Sequence, residues 1–155
     1  KYDDAIKVLL PVVQKGKRFR QADYALYLLA QAYEGGGHAE AGEIWKRLAD
    51  DFPQSQYALE ARLRQGNGLL ESEPVKAREI FQNLATVAAG PVRSKALLGV
   101  AQSFEKENNA DRARELYYDL IASVTDIGVL AKAKDQLSEI NTQQIGPHDI
   151  MKAAV

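Results

Sequence analysis

Four short segments of this chain align without gaps, and they decide the fold. They read YDDAIKVL at residues 2–9, HAEAGEIW at 38–45, PVKAREIF at 74–81 and ADRARELY at 110–117. The alanine that they share lies at positions 5, 41, 77 and 113, so each copy follows the previous one after 36 residues. A fixed period of this length is typical of repeat proteins, in which neighbouring units stack to bury a common core.

Each segment opens a helix that carries a single apolar stripe. The alanine is followed by apolar residues three, four and seven positions later, a spacing that lines one face of an α-helix. The small alanine lets a neighbouring helix approach, and the large residue four positions later fills the space beside it. We predict a core made of Ala41, Trp45, Leu48, Ala77, Phe81, Leu84, Ala113, Tyr117 and Leu120.

A further helix is predicted between successive copies. It carries a small residue followed three positions later by a large one, in the pairs Ala30/Tyr33, Gly66/Leu69 and Ala101/Phe104. The predicted spans are 24–34, 57–70, 94–106 and, for a last helix, 127–140. The predicted breaks and caps are Gly35-Gly36-Gly37, Pro53, Ser55, Ser72, Gly90-Pro91, Asn108-Asn109 and Asp126. Pro11 is predicted to kink or shorten the first helix.

A helix pair of about this length, with the small-x-x-large motif in its first helix (helix A) and the alanine followed four residues later by an aromatic residue in its second (helix B), resembles the tetratricopeptide repeat (TPR) family. The resemblance covers roughly residues 2–140 and implies an all-α fold, a right-handed α-solenoid of antiparallel helix pairs with about eight helices and a short C-terminal tail. The implied repeat domain, 1–141, divides into a partial repeat at 2–15, repeats at 21–53, 57–89 and 94–125, and a capping or half-repeat helix at 127–141. Residues 142–155 form the tail. The chain departs from the family because its A helices lack tryptophan and no closing proline follows the third and fourth copies.

The resemblance also implies a binding surface. In TPR proteins the A-helix face opposite the core lines a concave groove that holds a peptide or a partner helix. The matching positions are Tyr24, Tyr27, Gln31, Glu34, Glu60, Leu63, Asn67, Glu71, Lys95, Leu98, Gln102 and Glu105. This predicts a mixed groove with apolar patches at Tyr24/Tyr27 and Leu63/Leu98, and the alternative is a solvated face. A clamp for a C-terminal carboxylate is not predicted, because only Lys95 and Asn67 fit its pattern.

One junction resembles a narrower group. The string FPQSQYA at residues 52–58 is similar to the FP-x-S-x-YA junction of bacterial envelope TPR proteins, which include the Tol–Pal coordinator and lipoproteins of outer-membrane protein assembly. This resemblance implies a scaffold in an envelope assembly and favours the periplasm, while a cytoplasmic location stays open.

Composition excludes several other classes of protein. The 155 residues contain 20 basic and 21 acidic side chains, and this balance argues against a nucleic-acid binder. There is no cysteine, and His38 and His148 stand at no metal-ligand spacing. The glycines before His38 lack the Gly-Lys-Ser/Thr ending of a phosphate loop. We therefore predict no catalytic residue, metal or cofactor, and no apolar run is long enough to span a membrane.

The two ends of the chain carry separate expectations. The first helix is similar to helix B of a repeat without its helix A, which would leave Ala5, Val8, Leu9 and Val12 partly exposed. Self-association through this helix is therefore the alternative to a partner-binding scaffold. A basic connection follows, with Lys15, Lys17, Arg18 and Arg20 around Phe19, and we favour a solvated loop over an anion-binding one. The tail is predicted to cap the domain with a short helix at 149–155, or else to dock into another copy.

Overall fold

The computed structural model of the protein describes residues 1–16 and 20–144, without the side chains of residues 143 and 144. Within these residues the chain forms eight α-helices and no strand. The helices are α1 (Tyr2–Gln14), α2 (Ala22–Gly35), α3 (Ala41–Asp51), α4 (Ala58–Leu69), α5 (Pro74–Val87), α6 (Gly90–Lys106), α7 (Ala110–Ser123) and α8 (Ile127–Gln144). The prediction of an all-α fold is confirmed.

The helices belong to two compact units. Unit 1 spans Lys1–Leu69 and holds α1 to α4, and unit 2 spans Leu70–Val155 and holds α5 to α8. Inside each unit every helix packs against the next one in sequence, and in unit 2 α6 also contacts α8. Short connections between sequential partners give antiparallel helix hairpins that stack within each unit, as in an α-solenoid. The unit boundary falls inside the repeat predicted at 57–89, and the predicted repeat limits stay predictions.

The predicted core is confirmed in both units. The aromatic residues of the stripe, Trp45, Phe81 and Tyr117, are at most 3% exposed, and the leucines three positions later are buried as deeply. Ala77 and Ala113 are fully buried, whereas Ala41 is half-buried. These residues therefore form the apolar core inside each unit.

The stripe of α1 is less covered than its equivalents. Val8 is 69% exposed, and Ala5, Leu9 and Val12 are half-buried, while Val13 enters the core of unit 1. The α1 helix packs against α2 on one side. The prediction of a partly exposed stripe on the first helix is confirmed.

Most predicted breaks are confirmed. The α2 helix ends at Gly35, and Gly37 adopts a positive φ of 71° in the turn that follows. Asn109 caps α7, because its side-chain oxygen accepts the backbone N–H of Arg112. Asp126 accepts the backbone N–H of Val129 in the first turn of α8. These side chains satisfy N–H groups that a helix start leaves without a backbone partner.

Three local predictions are wrong. Ser72 does not cap α5, because that helix begins at Pro74 with Glu73 in the capping position. Pro11 does not shorten α1, which continues to Gln14, and the alternative of a kink at Pro11 stays a prediction. The α6 helix begins at Gly90 rather than at residue 94. Proline is tolerated in the first turn of a helix, where its missing N–H is not needed, so Gly90-Pro91 starts α6 instead of standing before it.

Two further predictions fall wholly or mostly on residues that the structure does not describe. The centre of the basic connection, at residues 17–19, and the tail helix at 149–155 both lie outside the described ranges. The α8 helix runs to Gln144, and the predicted limits of the tail stay a prediction. No helix in the described part of the chain is both long enough and apolar enough to cross a membrane.

Candidate functional site

Three tyrosines of unit 1 form one aromatic stack, which we call the tyrosine ladder. Tyr24 and Tyr27 come from successive turns of α2, and Tyr57 comes from the turn before α4. Tyr57 stacks on both of them, with ring centroids 5.6 Å from Tyr24 and 4.5 Å from Tyr27. Tyr24 stays 42% exposed, while the other two rings are half-buried. The ladder is thus a surface feature of predicted groove residues together with one ring that was not predicted.

A pair of polar side chains holds the third ring in place. The Ser55 hydroxyl donates a hydrogen bond of 2.7 Å to Asp23 of α2 and accepts one from the backbone N–H of Tyr57. Phe52, earlier in the same turn, packs against the core of unit 1. The FPQSQYA junction therefore works as a connector, because it ties the turn before α4 to the start of α2.

The ladder rests on the core through Tyr27. Its ring meets the buried Trp45 edge to face, with centroids 5.7 Å apart, and its hydroxyl accepts a 2.8 Å hydrogen bond from Gln31. Aromatic pairs in this geometry contribute beyond the area they bury. The ring of Tyr27 is therefore fixed on its buried side and by a side chain one turn along α2.

A chain of charged groups borders the ladder. Glu34 accepts hydrogen bonds from Trp45 at 3.3 Å and from Arg64 at 2.9 Å, and Arg64 also donates to Glu60 at 2.9 Å. Burial lowers the pKa of Arg64, but the hydrogen bonds to Glu60 and Glu34 and the charges of these residues outweigh it and raise that pKa above its ordinary value. Arg64 is therefore a permanent cation, and it links α2 to α4.

The role of Glu34 repeats in unit 2. Glu105 accepts a 2.7 Å hydrogen bond from the hydroxyl of Tyr117, and this pair has the same place in its repeat as Glu34 and Trp45. Leu70 stands at the matching position before Phe81, whose ring has no donor. A glutamate thus stands at this position in the two repeats whose helix-B aromatic residue has an N–H or O–H to donate. Accepting that hydrogen bond is a structural role.

Two predicted groove residues are not on the surface. Leu63 is 3% exposed and Leu98 is 5% exposed, so the prediction of an open apolar patch at these two leucines is wrong. Leu98 packs with Tyr117 and Val129 in the core of unit 2. A leucine is short enough to be enclosed at a position where Tyr27 reaches the surface.

The remaining predicted residues carry no shared contact. Asn67 and Lys95 are exposed, Gln102 is half-buried, and Glu71 forms an ion pair with Lys106 in unit 2. The structure thus brings together Tyr24, Tyr27, Gln31, Glu34 and Glu60 in unit 1. Sequence reasoning missed Tyr57, Ser55 and Arg64 as members of this site. The signal for the first two was the FPQSQYA string, which was interpreted only as a mark of a sub-family.

The described residues hold little that could support other chemistry. No group of three or more histidine, aspartate and glutamate side chains among them could hold a metal ion. An open cleft of about 280 Å³ in unit 2 is lined by Gly90, Arg93, Ser94, Leu97, Ser123, Val124 and Thr125. The hydroxyls of Ser94 and Ser123 donate to backbone carbonyls one turn earlier, so neither is paired with a base that could activate it.

Two stretches of the chain match a family model described as tetratricopeptide repeat, at residues 24–55 and 95–124. These two stretches of the chain are thus similar to tetratricopeptide repeats. The first TPR match includes Tyr24, Tyr27 and Ser55, and the second includes Leu98 and Tyr117. No curated protein and no solved structure matches the chain. TPR repeats generally mediate protein–protein interaction, and the proteins that contain them are typically scaffolds rather than enzymes.

Proposed function

We propose that this protein is an interaction scaffold that binds a peptide or an extended partner segment on the tyrosine ladder of unit 1. The observation that carries this proposal is the stack itself, in which Tyr24 stays 42% exposed although Tyr57 covers one face of its ring. Stacking on Tyr57 stabilises the folded chain, and it also holds an exposed ring in one orientation, which pre-organises it for binding.

The chemistry around the ladder suits a protein partner. Tyrosine buries a large area and loses little conformational entropy, and it is enriched among the residues that dominate binding energy. Gln31, Glu34 and Arg64 supply a polar border with hydrogen-bonding groups. An apolar centre with a polar rim is the usual anatomy of a protein interface.

We extend the proposal to a bacterial envelope assembly in the periplasm, with the cytoplasm as the alternative location. The support is the FPQSQYA junction, whose Ser55 and Tyr57 take part in the contacts that build the ladder. Fractionation of cells that express the full-length protein tests the location. Recovery in the periplasmic or membrane fraction supports the envelope role, and recovery in the cytoplasm contradicts it.

Selection of peptides on the protein tests the binding function. A random library of 12-residue peptides displayed on phage is panned on the wild type, and recovered clones are measured again on Tyr24→Ser and on Tyr118→Ser. Tyr118 of α7 is a matched control, because it is a tyrosine of similar exposure, 54%, with no place in the ladder. We expect clones that lose at least about tenfold in affinity on Tyr24→Ser, in line with an interface anchor, and keep it on Tyr118→Ser.

Loss of binding has to be separated from loss of fold. Circular dichroism and thermal unfolding of the two variants provide that check. Tyr118→Ser should unfold within about 0.5 kcal/mol of the wild type. Tyr24→Ser should stay folded while it loses about 1 kcal/mol with its stacking contact to Tyr57. Clones that bind the wild type and Tyr24→Ser equally well would overturn the ladder as the binding surface.

Self-association through α1 is a second candidate function. The observation that favours it is the exposed stripe of α1, in which Val8 is 69% exposed although its equivalents Ile44, Ile80 and Leu116 are all half-buried. Sedimentation equilibrium of the wild type and of Val8→Glu tests it. A dimer that Val8→Glu dissociates supports this function, and a monomer at millimolar concentration rejects it.

A further inference from the structure

We infer that the segment bound by the tyrosine ladder carries an arginine, whose guanidinium lies over the outer face of Tyr24. This inference rests on the proposed function, because it names the chemistry of the partner that the same surface takes.

The order of the rings leaves one face free for such a group. Tyr57 stacks on both Tyr24 and Tyr27, so Tyr24 stands at the end of the stack and contacts a single ring among the described residues. Tyr24 therefore has one face that no other described ring covers, and the residue is 42% exposed. A guanidinium is planar and weakly hydrated, so it stacks on an aromatic face more readily than an ammonium does.

The charges beside the ladder favour a cationic partner. The α2 helix carries two acidic residues, Asp23 and Glu34, and no basic one. On α4, Arg64 is held by both Glu34 and Glu60. Asp23, one residue before Tyr24, is the carboxylate at this end of the ladder, and it forms no ion pair with another described residue, so its charge attracts a cation.

Unit 2 contains the same combination within the chain. The guanidinium carbon of Arg78 lies 4.1 Å from the centre of the Phe104 ring, and the same arginine forms an ion pair with Glu107. An aromatic face with a nearby carboxylate thus holds an arginine of this protein. Tyr24, with Asp23 beside it in sequence, offers a partner's arginine the same two contacts on the surface.

The peptide selection tests this inference directly. Among clones whose binding depends on Tyr24, we expect arginine to be enriched at least about threefold over the starting library. Synthetic versions of such peptides with arginine replaced by citrulline keep the planar shape and lose the charge. We expect the wild type to bind the citrulline peptides about three- to tenfold more weakly, as for an exposed or partly desolvated cation–π contact.

Variants of the protein show which ring causes the preference for arginine over citrulline. Tyr24→Phe keeps the aromatic face and should retain the preference for arginine over citrulline, while Tyr24→Ser should abolish it and Tyr118→Ser should leave it unchanged. Tyr24→Phe also answers a folding objection to Tyr24→Ser, since it removes only one hydroxyl.

The outcomes separate this inference from the proposed function. Tyr24-dependent clones without arginine enrichment, or with equal affinity for arginine and citrulline, overturn the inference and leave the binding function standing. Clones enriched in aspartate or glutamate would do the same. The absence of any Tyr24-dependent clone contradicts the proposed function, and the inference falls with it.

Discussion

Tyr27 of unit 1 and Leu98 of unit 2 stand at the same place in their repeats, three residues before the small residue of helix A. Each faces a residue sixteen positions after the alanine of the following stripe, Tyr57 in unit 1 and Val129 in unit 2. The tyrosines form a half-exposed stack with ring centroids 4.5 Å apart. The leucine and the valine lie in one buried cluster. The same backbone arrangement is thus open in one unit and closed in the other.

The difference shows what decides whether a side chain at one repeat position stays partly exposed or becomes buried. Leucine and valine are short and have no polar atom, so they can be enclosed without leaving a group unsatisfied. Two tyrosines fill more space, and each hydroxyl must reach water or a partner, as that of Tyr27 reaches Gln31. A repeat family therefore fixes where a side chain can lie, and the side chain itself decides whether it stays at the surface.

The largest expected effect on stability comes from truncating Leu98, the buried residue of this comparison. Leu98→Ala should lower the free energy of unfolding by about 2–5 kcal/mol, because it removes buried methyl groups and leaves a cavity in the core of unit 2. Urea unfolding measures the change. Lys95→Ala, one turn earlier on α6 and exposed, should change it by less than about 0.5 kcal/mol. A small effect of Leu98→Ala would show that Leu98 is a surface residue after all.

An effect of intermediate size on stability concerns Glu105, which matches Glu34 of unit 1. Burial and the hydrogen bond to Glu105 raise the pKa of Tyr117 well above its ordinary value of 10.0. The unfolded chain therefore ionises this phenol near pH 10, while the folded chain keeps its proton. Stability falls as the pH rises above that value, by about 1.4 kcal/mol per pH unit for one such group.

Comparison of Tyr117→Phe with the wild type isolates this contribution. The variant should lose about 1 kcal/mol near pH 7, where the hydrogen bond to Glu105 is intact in the wild type, and its stability should fall less steeply above pH 10. Tyr118→Phe, at the exposed neighbouring position, should follow the wild type. Parallel pH curves for Tyr117→Phe and the wild type would contradict the burial of this phenol.

The smallest expected effect concerns Ser55, which supports the partly exposed tyrosine ladder of unit 1. Ser55→Ala removes the hydroxyl that joins Asp23 to the turn before α4, and it should lower the free energy of unfolding by about 1 kcal/mol. Tyr57 then loses the hydroxyl that accepts its backbone N–H. The free energy of binding Tyr24-dependent peptides should therefore change by more than the free energy of unfolding. Ser55→Thr, which keeps the hydroxyl, should restore binding. Unchanged affinity in Ser55→Ala would mean that the turn does not position the ladder.

Much of the fold could be predicted from the sequence, because one local rule was repeated four times. The spacing of Trp45, Phe81 and Tyr117 from their alanines predicted both the helices and the core, since these residues must all face one side of a helix. The same register assigned Leu98 to the surface and missed Tyr57. Those outcomes depend on contacts between helices that are distant in sequence, which a single-helix pattern does not contain.

The sequence pattern also did not predict the structural role of two glutamates. Glu34 and Glu105 occupy predicted groove positions, yet both accept hydrogen bonds from the aromatic residues of helix B. Their periodic placement has a structural cause, and only the indole N–H of Trp45 and the hydroxyl of Tyr117 reveal it. The register assigned a side chain to the surface correctly at positions like Tyr24, where no neighbour encloses it.

Hydroxyl-radical footprinting with and without a selected peptide maps the bound surface, and so it tests the central claim most directly. Oxidation of each tyrosine is quantified by mass spectrometry, with Tyr118 as the internal reference. The account predicts that the peptide protects Tyr24 and Tyr57 and leaves Tyr118 unchanged. Protection of Tyr118 or Lys95, with Tyr24 as reactive as in the free protein, would show that partners bind elsewhere.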